Sequence, residues 1–434
     1  MHAALARLVL AGTALSLGAC GTSESFAERP TEQPTTAAKA QPPSGETSRA
    51  FQTSGDVATA EPEFQATEPA VAPAPIAQAV PAMPERRLAP MPVFAKRDRF
   101  DETGPASVDG LSQVSFAQEG EDFDPVLTPD GDKMIFASTQ YRTTSDIYAK
   151  PVKGSVVTQL TSDPADDVMP AVSPDGKKVA FASNRSGTWN IYVMPITGGR
   201  PVQVTSTSAH DLHPSWSPDG KHLVFSRLGE VSHRWEMWVT DASNPSASHF
   251  VGYGLLPEWC PVAGTGANGA DRILFQLPRE RGARTFGVWT IDFKDGVTSN
   301  AMAIATSSGS ALINPTWSPD GKFIAYAEVP APAGRVEINQ SRPTQSDLWM
   351  AAVDGSARVK LTDGNAVALM PFWGANNRMV FFSDRAGRGN VWTMDVNNAV
   401  LACGGNPSGV EHASAMEAPA QATAQEAEPV AGDQ

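Results

Sequence analysis

The chain predicts an all-β fold, a six-bladed β-propeller of four-stranded antiparallel blades, and three features of the sequence carry that prediction. A Pro-centred phrase recurs six times with a period near 44 residues, which is a repeat architecture. Each copy is followed by short runs rich in β-branched and aromatic residues. The segments outside the repeats are too poor in large apolar residues to build another core.

The inner strand comes first in each unit. The copies read Pro125-Val-Leu-Thr-Pro-Asp130-Gly131, Pro170-Ala-Val-Ser-Pro-Asp175-Gly176, Pro214-Ser-Trp216-Ser-Pro-Asp219-Gly220, Pro257-Glu-Trp259-Cys260-Pro261, Pro315-Thr-Trp317-Ser-Pro-Asp320-Gly321 and Pro371-Phe-Trp373-Gly-Ala-Asn376-Asn377. In four of them Pro presets φ, Asp bonds nearby backbone and Gly takes the left-handed position, so Asp130-Gly131, Asp175-Gly176, Asp219-Gly220 and Asp320-Gly321 are hairpin turns. Second strands follow in Lys178-Val-Ala-Phe181, Leu223-Val-Phe225, Ile273-Leu-Phe275, Ile324-Ala-Tyr326 and Met379-Val-Phe-Phe382. Third strands follow in Asp146-Ile-Tyr148, Asn190-Ile-Tyr192, Met237-Trp238, Val288-Trp289, Asp347-Leu-Trp349 and Asn390-Val-Trp392, and fourth strands in Gln159-Leu-Thr161, Gln203-Val-Thr205 and Lys360-Leu-Thr362. One such sheet cannot bury both faces, so copies must stack radially. The strand-like Leu111–Phe116 is expected to supply the last blade's outer strand and close the ring, with Ala399–Ala402 as the competing segment.

This wording and spacing resemble the WD40-like PD40 repeat of TolB-like β-propellers, over roughly residues 108 to 400. Related repeats occur in the propellers of tricorn-type and prolyl-oligopeptidase-type peptidases. Those peptidases carry a separate hydrolase domain with a Gly-x-Ser-x-Gly elbow, and no such pentapeptide occurs here. The resemblance implies a role like that of TolB, which binds the peptidoglycan-associated lipoprotein in the Tol system. Two departures stand against a full transfer: TolB has a small α/β domain before its propeller, and TolB is not lipidated.

The ends complete the domain plan. Residues 1–19 read as a lipoprotein signal peptide, because Arg7 precedes an apolar stretch from Leu8 to Leu17 and Leu17-Gly18-Ala19-Cys20 resembles a lipobox. Cys20 is then the lipidated first residue of an exported protein. Residues 20–105 read as a low-complexity Pro/Ala/Thr-rich tether, 106–403 as the propeller and 404–434 as a disordered acidic tail. Gly21 after Cys20 lacks the aspartate that retains some lipoproteins at the inner membrane, which favours the outer membrane, facing the periplasm. A formal net charge of −14 argues against nucleic acid. Cys260 and Cys403 lie in different blades of a ring, an arrangement that opposes a disulfide.

No catalytic residue, metal or cofactor is expected. His210 and His213, with His233 and His249 nearby, form the nearest metal-like constellation, yet the loop before an inner strand commonly holds solvated polar residues. Trp216, Trp259, Trp317 and Trp373 recur at one position and are expected to pack between blades. Arginines fill the loops between second and third strands: Arg142, Arg185, Arg227, Arg234, Arg279, Arg281, Arg284, Arg335, Arg342, Arg385 and Arg388. The longer loops of blades four and five make Arg279, Arg281, Arg284, Arg335 and Arg342 the candidate binding residues for an acidic partner. The competing reading is that Arg185 and Arg385 merely cap a turn and pair with a neighbouring acid. The expected function is a monomeric, non-enzymatic envelope lipoprotein that binds an envelope protein, such as the peptidoglycan-associated lipoprotein or another Tol-like component. The alternative is a carbohydrate-active or peptidoglycan-binding propeller.

Overall fold

The computed structural model describes residues 108–245, 248–278, 285–330 and 343–406. The residues expected to form the signal peptide and tether, including Cys20, fall outside them, as does most of the stretch from 404 to 434.

Six four-stranded antiparallel sheets form the six-bladed propeller that the repeats predict. An N-terminal strand, β1 (Asp109–Gln113), precedes the blades. Blade one is β2 (Asp122–Leu127), β3 (Lys133–Ser138), β4 (Asp146–Pro151) and β5 (Thr158–Gln159). Blade two is β6 (Asp167–Val172), β7 (Lys178–Ser183), β8 (Asn190–Pro195) and β9 (Val202–Gln203). Blade three is β10 (His210–Trp216), β11 (His222–Leu228), β12 (Trp235–Asp241) and β13 (Ser248–Tyr253), and blade four is β14 (Leu255–Trp259), β15 (Asp271–Pro278), β16 (Phe286–Lys294) and β17 (Val297–Ala305). Blade five is β18 (Ser310–Trp317), β19 (Phe323–Pro330), β20 (Asp347–Ala352) and β21 (Arg358–Lys360), and blade six is β22 (Ala368–Trp373), β23 (Arg378–Ser383) and β24 (Asn390–Asp395).

The ring closes as the sequence suggested. β1 pairs antiparallel with β24, Gln113 opposite Trp392, and supplies blade six with its outer strand. Val114 N then donates to Val391 O at 2.8 Å, and Asn390 Oδ1 accepts from Ala117 N at 2.7 Å. The competing segment is helical, within α1 (Asn397–Ala402). Outer strands begin earlier than expected, at Thr158 and Val202. The Leu-Thr pair that follows leaves the ladder because Thr161 Oγ1 replaces backbone: it accepts from Ile147 N at 2.9 Å and donates to Asp146 Oδ1 at 3.2 Å. Thr205 and Thr362 repeat this.

The hairpin turns follow their predicted chemistry. Ser173 Oγ donates to Asp175 Oδ1 at 2.6 Å, Lys177 N donates to the same oxygen at 3.1 Å, and Gly176 takes φ +69°. Hydrogen bonds from Thr128 and Ser173 hold the carboxyls of Asp130 and Asp175, respectively, below the usual range. These turns also join blades, since a Cβ on Gly176 would meet Pro129 at 3.5 Å and one on Gly220 would meet Pro174 at 3.6 Å. The tryptophans pack between blades as expected. All four are buried, and Trp216 Nε1 and Trp317 Nε1 donate to the preceding blade's Ala171 O and Glu258 O, each at 3.0 Å.

Candidate functional site: the central channel and the arginine slots

Each inner strand bulges at its Pro. Pairing with the second strand shifts between Phe123 and Val126, Val168 and Ala171, Leu212 and Ser215, Leu255 and Glu258, Ile313 and Thr316, and Leu369 and Phe372. Proline has no N–H for the ladder, so a bulge is where a strand tolerates it. The residue before each Pro takes a left-handed conformation: Asp124, Met169, His213, Leu256, Asn314 and Met370 have φ between 49° and 54°. Non-glycine residues in that region carry strain that the surroundings must hold in place. The preceding blade does so in several copies. Met169 N donates to Asp124 Oδ2 at 3.1 Å, Leu256 N to Ser226 Oγ at 2.9 Å and Asn314 N to Gln276 Oε1 at 3.0 Å.

These residues and their prolines line a central channel with a cavity of about 390 Å³. Its walls are largely proline, tryptophan and aliphatic; the polar side chains among them are the hydroxyls of Thr128, Ser215 and Thr316 and the larger groups of Asp124, His213, Glu258 and Asn314. Burial raises the Asp124 carboxyl to about 7 against the Met169 N–H bond, and raises Glu258 to about 8. Burial lowers His213 to about 4, so its imidazole is neutral at neutral pH. Among the described residues His213 Nδ1 and Asn314 Oδ1 are buried without a hydrogen-bond partner. Near pH 7 the channel therefore holds a neutral His213, a protonated Glu258 and a partly ionised Asp124. His210 does not share it; its Nδ1 accepts from Trp189 N at 3.3 Å. Among the described residues no cluster of three or more His, Cys, Asp or Glu could hold a metal ion. Cys260 and Cys403 are buried free thiols.

The loop arginines have an internal use. Arg185 Nη2 lies 3.0 and 2.8 Å from the two oxygens of Asp167, its Nε donates to Ser183 Oγ at 2.9 Å, and its guanidinium covers the Phe181 and Tyr192 rings at 5.7 and 5.0 Å. Arg227 lies on β11 and binds Asp211 in a fork at 2.7 and 2.8 Å, over Phe225 and Trp238. In blade five Arg358 reaches the equivalent ring pair from the outer strand, 3.9 Å over Trp349, and bonds Glu328 at 2.6 Å. Arg385 keeps the Ser383 bond at 3.2 Å and the rings of Phe381 and Trp392, but among the described residues no carboxylate lies within 4.0 Å of it. Burial lowers its pKa, with Asp363 and Asp384 opposing. Arg142 donates to Ser162 O at 2.7 Å. For Arg185 the reading of an internal cap and acid pair therefore describes its contacts. The five candidate partner-binding residues, Arg279, Arg281, Arg284, Arg335 and Arg342, lie outside the described residues.

The channel acids had a faint signal in the sequence. Aligning the six prolines puts Asp124, Met169, His213, Leu256, Asn314 and Met370 in one column and Val126, Ala171, Ser215, Glu258, Thr316 and Phe372 in another.

Residues 109–250 match the model of the TolB beta propeller domain, PD40. Among solved structures, TolB from Agrobacterium tumefaciens is similar at 22% identity, with 55% of this chain and 79% of that chain covered and a TM-score of 0.44. TolB from Acinetobacter baumannii is similar at 19% identity over 62% of each chain, with a TM-score of 0.41. An oligogalacturonate lyase in complex with manganese is similar at 14% identity, over 70% of this chain and 97% of that chain, with a TM-score of 0.45. None of the curated proteins compared with the chain matches it.

Proposed function

We propose that this protein is a non-enzymatic adaptor of the bacterial cell envelope, lipid-anchored at Cys20, that presents a TolB-like propeller to an envelope protein. The observation that carries the reading is the match of residues 109–250 to the TolB beta propeller domain. A ring locked by β1 on β24 supports it, because it holds loops on a rigid frame. The partner contact is assigned to the blade four to five sector, at Arg279, Arg281, Arg284, Arg335 and Arg342, and the partner class is an acidic envelope protein such as the peptidoglycan-associated lipoprotein. The channel residues then serve the ring itself.

The test is a crosslinking pull-down with the full chain from envelope extract, beside a variant with Arg279, Arg281 and Arg284 changed to Ala. Recovery of one envelope protein by the parent and not the variant is the expected result. Equal recovery by both, or recovery of cell-wall polymer alone, would overturn the assignment. Retention of a Cys20→Ala variant in the membrane fraction would count against the anchor.

One observation favours a second reading. Carboxyls raised to about 7 at Asp124 and about 8 at Glu258 share a channel, which suits proton transfer in a carbohydrate-active propeller. Polysaccharide cleavage by the parent that disappears in Asp124→Asn and Glu258→Gln would replace the adaptor reading.

A further inference from the structure

Blade one breaks a pattern that four other blades keep. In blades two, three, five and six a guanidinium lies over a cross-strand aromatic pair: Phe181 with Tyr192, Phe225 with Trp238, Tyr326 with Trp349 and Phe381 with Trp392. Blade one has the same pair, Phe136 opposite Tyr148, with ring centroids 6.0 Å apart. It also has the acid, since Asp122 pairs with Ser138 across the strands as Asp167 pairs with Ser183. The loop frame repeats too: Gln140 N donates to Ser138 Oγ at 3.0 Å, as Arg185 N donates to Ser183 Oγ at 3.3 Å. Gln140 thus stands where blade two has Arg185, and among the described residues no arginine covers Phe136 and Tyr148. Arg142, two residues on, is turned to the Ser162 carbonyl.

A cavity of about 220 Å³ occupies this region, lined by Asp122, Phe136, Gln140, Tyr141 and Lys150 among others. At roughly 30 Å³ per water, that is room for a planar cation and several attached atoms. Asp122 is only 3% exposed; Ser138 and Ser115 hydrogen-bond its carboxyl, which burial raises, yet among the described residues its Oδ1 has no partner, and neither has the Tyr148 hydroxyl. A buried carboxylate oxygen without a donor is costly, and a charge-assisted fork is the strongest way to satisfy it.

We propose that blade one is a socket for a guanidinium group supplied from outside the blade, anchored by Asp122 and lying against the Phe136 ring as Arg185 lies against Phe181. Two features shape what carries that group. Tyr141, 54% exposed with its ring 5.1 Å from that of Tyr148, stands at the solvent side. Lys150, 6% exposed, also lines the cavity, its ammonium bonded to Pro151 O at 3.4 Å. A bare cation meets that second positive charge, whereas a guanidinium on a molecule with its own carboxylate places an opposite charge beside it. L-arginine therefore binds more tightly than agmatine.

The test titrates the purified full chain, by calorimetry, with methylguanidinium, agmatine, L-arginine, a short arginine-containing peptide and, as control, methylammonium. The guanidinium probes are expected to bind more tightly than methylammonium, and Asp122→Asn to weaken them by at least about tenfold. Gln140→Arg supplies the group in cis, so this variant should lose binding of every probe while its melting temperature rises. Binding of the peptide alone would mark a protein partner as the source, and binding of free arginine alone a small molecule; either supports the socket. Absence of any preference for guanidinium in the parent, or undiminished binding by a folded Gln140→Arg variant, would overturn it.

Discussion

Blades two and six hold the same loop arginine in the same backbone frame and give it different partners. In blade two, Arg185 Nη2 donates to both oxygens of Asp167 and its guanidinium is stacked on two rings; in blade six, Arg385 has the rings and Ser383 but Ala368 stands where the acid would be. Blade one is the complement, with Asp122 and, among the described residues, no arginine over its ring pair. The slot is a three-part device of acid, guanidinium and aromatic pair, and loss of one part leaves the others in place. The repeat thus accounts for Arg185 and Arg227 as internal braces of blades two and three. Blade one, which has the acid and the rings, is where the proposed socket lies.

The largest effect should come from Arg185→Ala, which leaves Asp167 buried without its countercharge. A cost of about 3–5 kcal/mol is expected, read as a fall in the unfolding midpoint. Blade four against blade three sharpens the comparison inside the channel. Ser215 accepts from Trp259 N at 3.0 Å, whereas Glu258 at the equivalent position carries a carboxyl raised to about 8. Because that pKa is raised on folding, Glu258 favours the folded state fully at pH below about 4.5, and the benefit is lost as pH rises through about 8. Glu258→Gln should therefore be more stable than the parent at pH 9, by about 1–3 kcal/mol after channel water screens the full linkage, and the difference should vanish near pH 4.

Smaller effects test the turns and blade six. Asp219→Ala removes the acceptor for Ser217 Oγ at 2.6 Å and Lys221 N at 3.1 Å and should cost about 1 kcal/mol in denaturant unfolding. Arg385→Ala should cost about 0.5–1 kcal/mol, since it removes stacking without stranding an acid. A loss as large as that of Arg185→Ala would break the distinction between the two blades.

Much of the fold was legible because its signals are local. Ser-Pro-Asp-Gly is a turn whose hydrogen bonds span a few residues, and Leu111–Phe116 fell at the spacing of an outer strand. The arginine slots were less legible because Arg185 and Asp167 meet across two strands, and nothing near Ser183 announces the acid. The channel acids were hidden for a longer-range reason. Asp124 and Glu258 lie in different blades, and only closure of the ring brings both half-buried carboxyls to one channel. Fourth strands lie one or two residues earlier than the pattern suggests because Thr161 and Thr205 complete the ladder with hydroxyls, which a strand pattern does not distinguish from backbone.

The central claim is that the loop arginine of a complete slot braces its own blade. A double-mutant cycle on Arg185 and Asp167, read by unfolding of the full chain, tests it most directly. A coupling of about 2 kcal/mol or more is expected for a buried pair. A coupling near zero would contradict the account and leave Arg185 without an internal role.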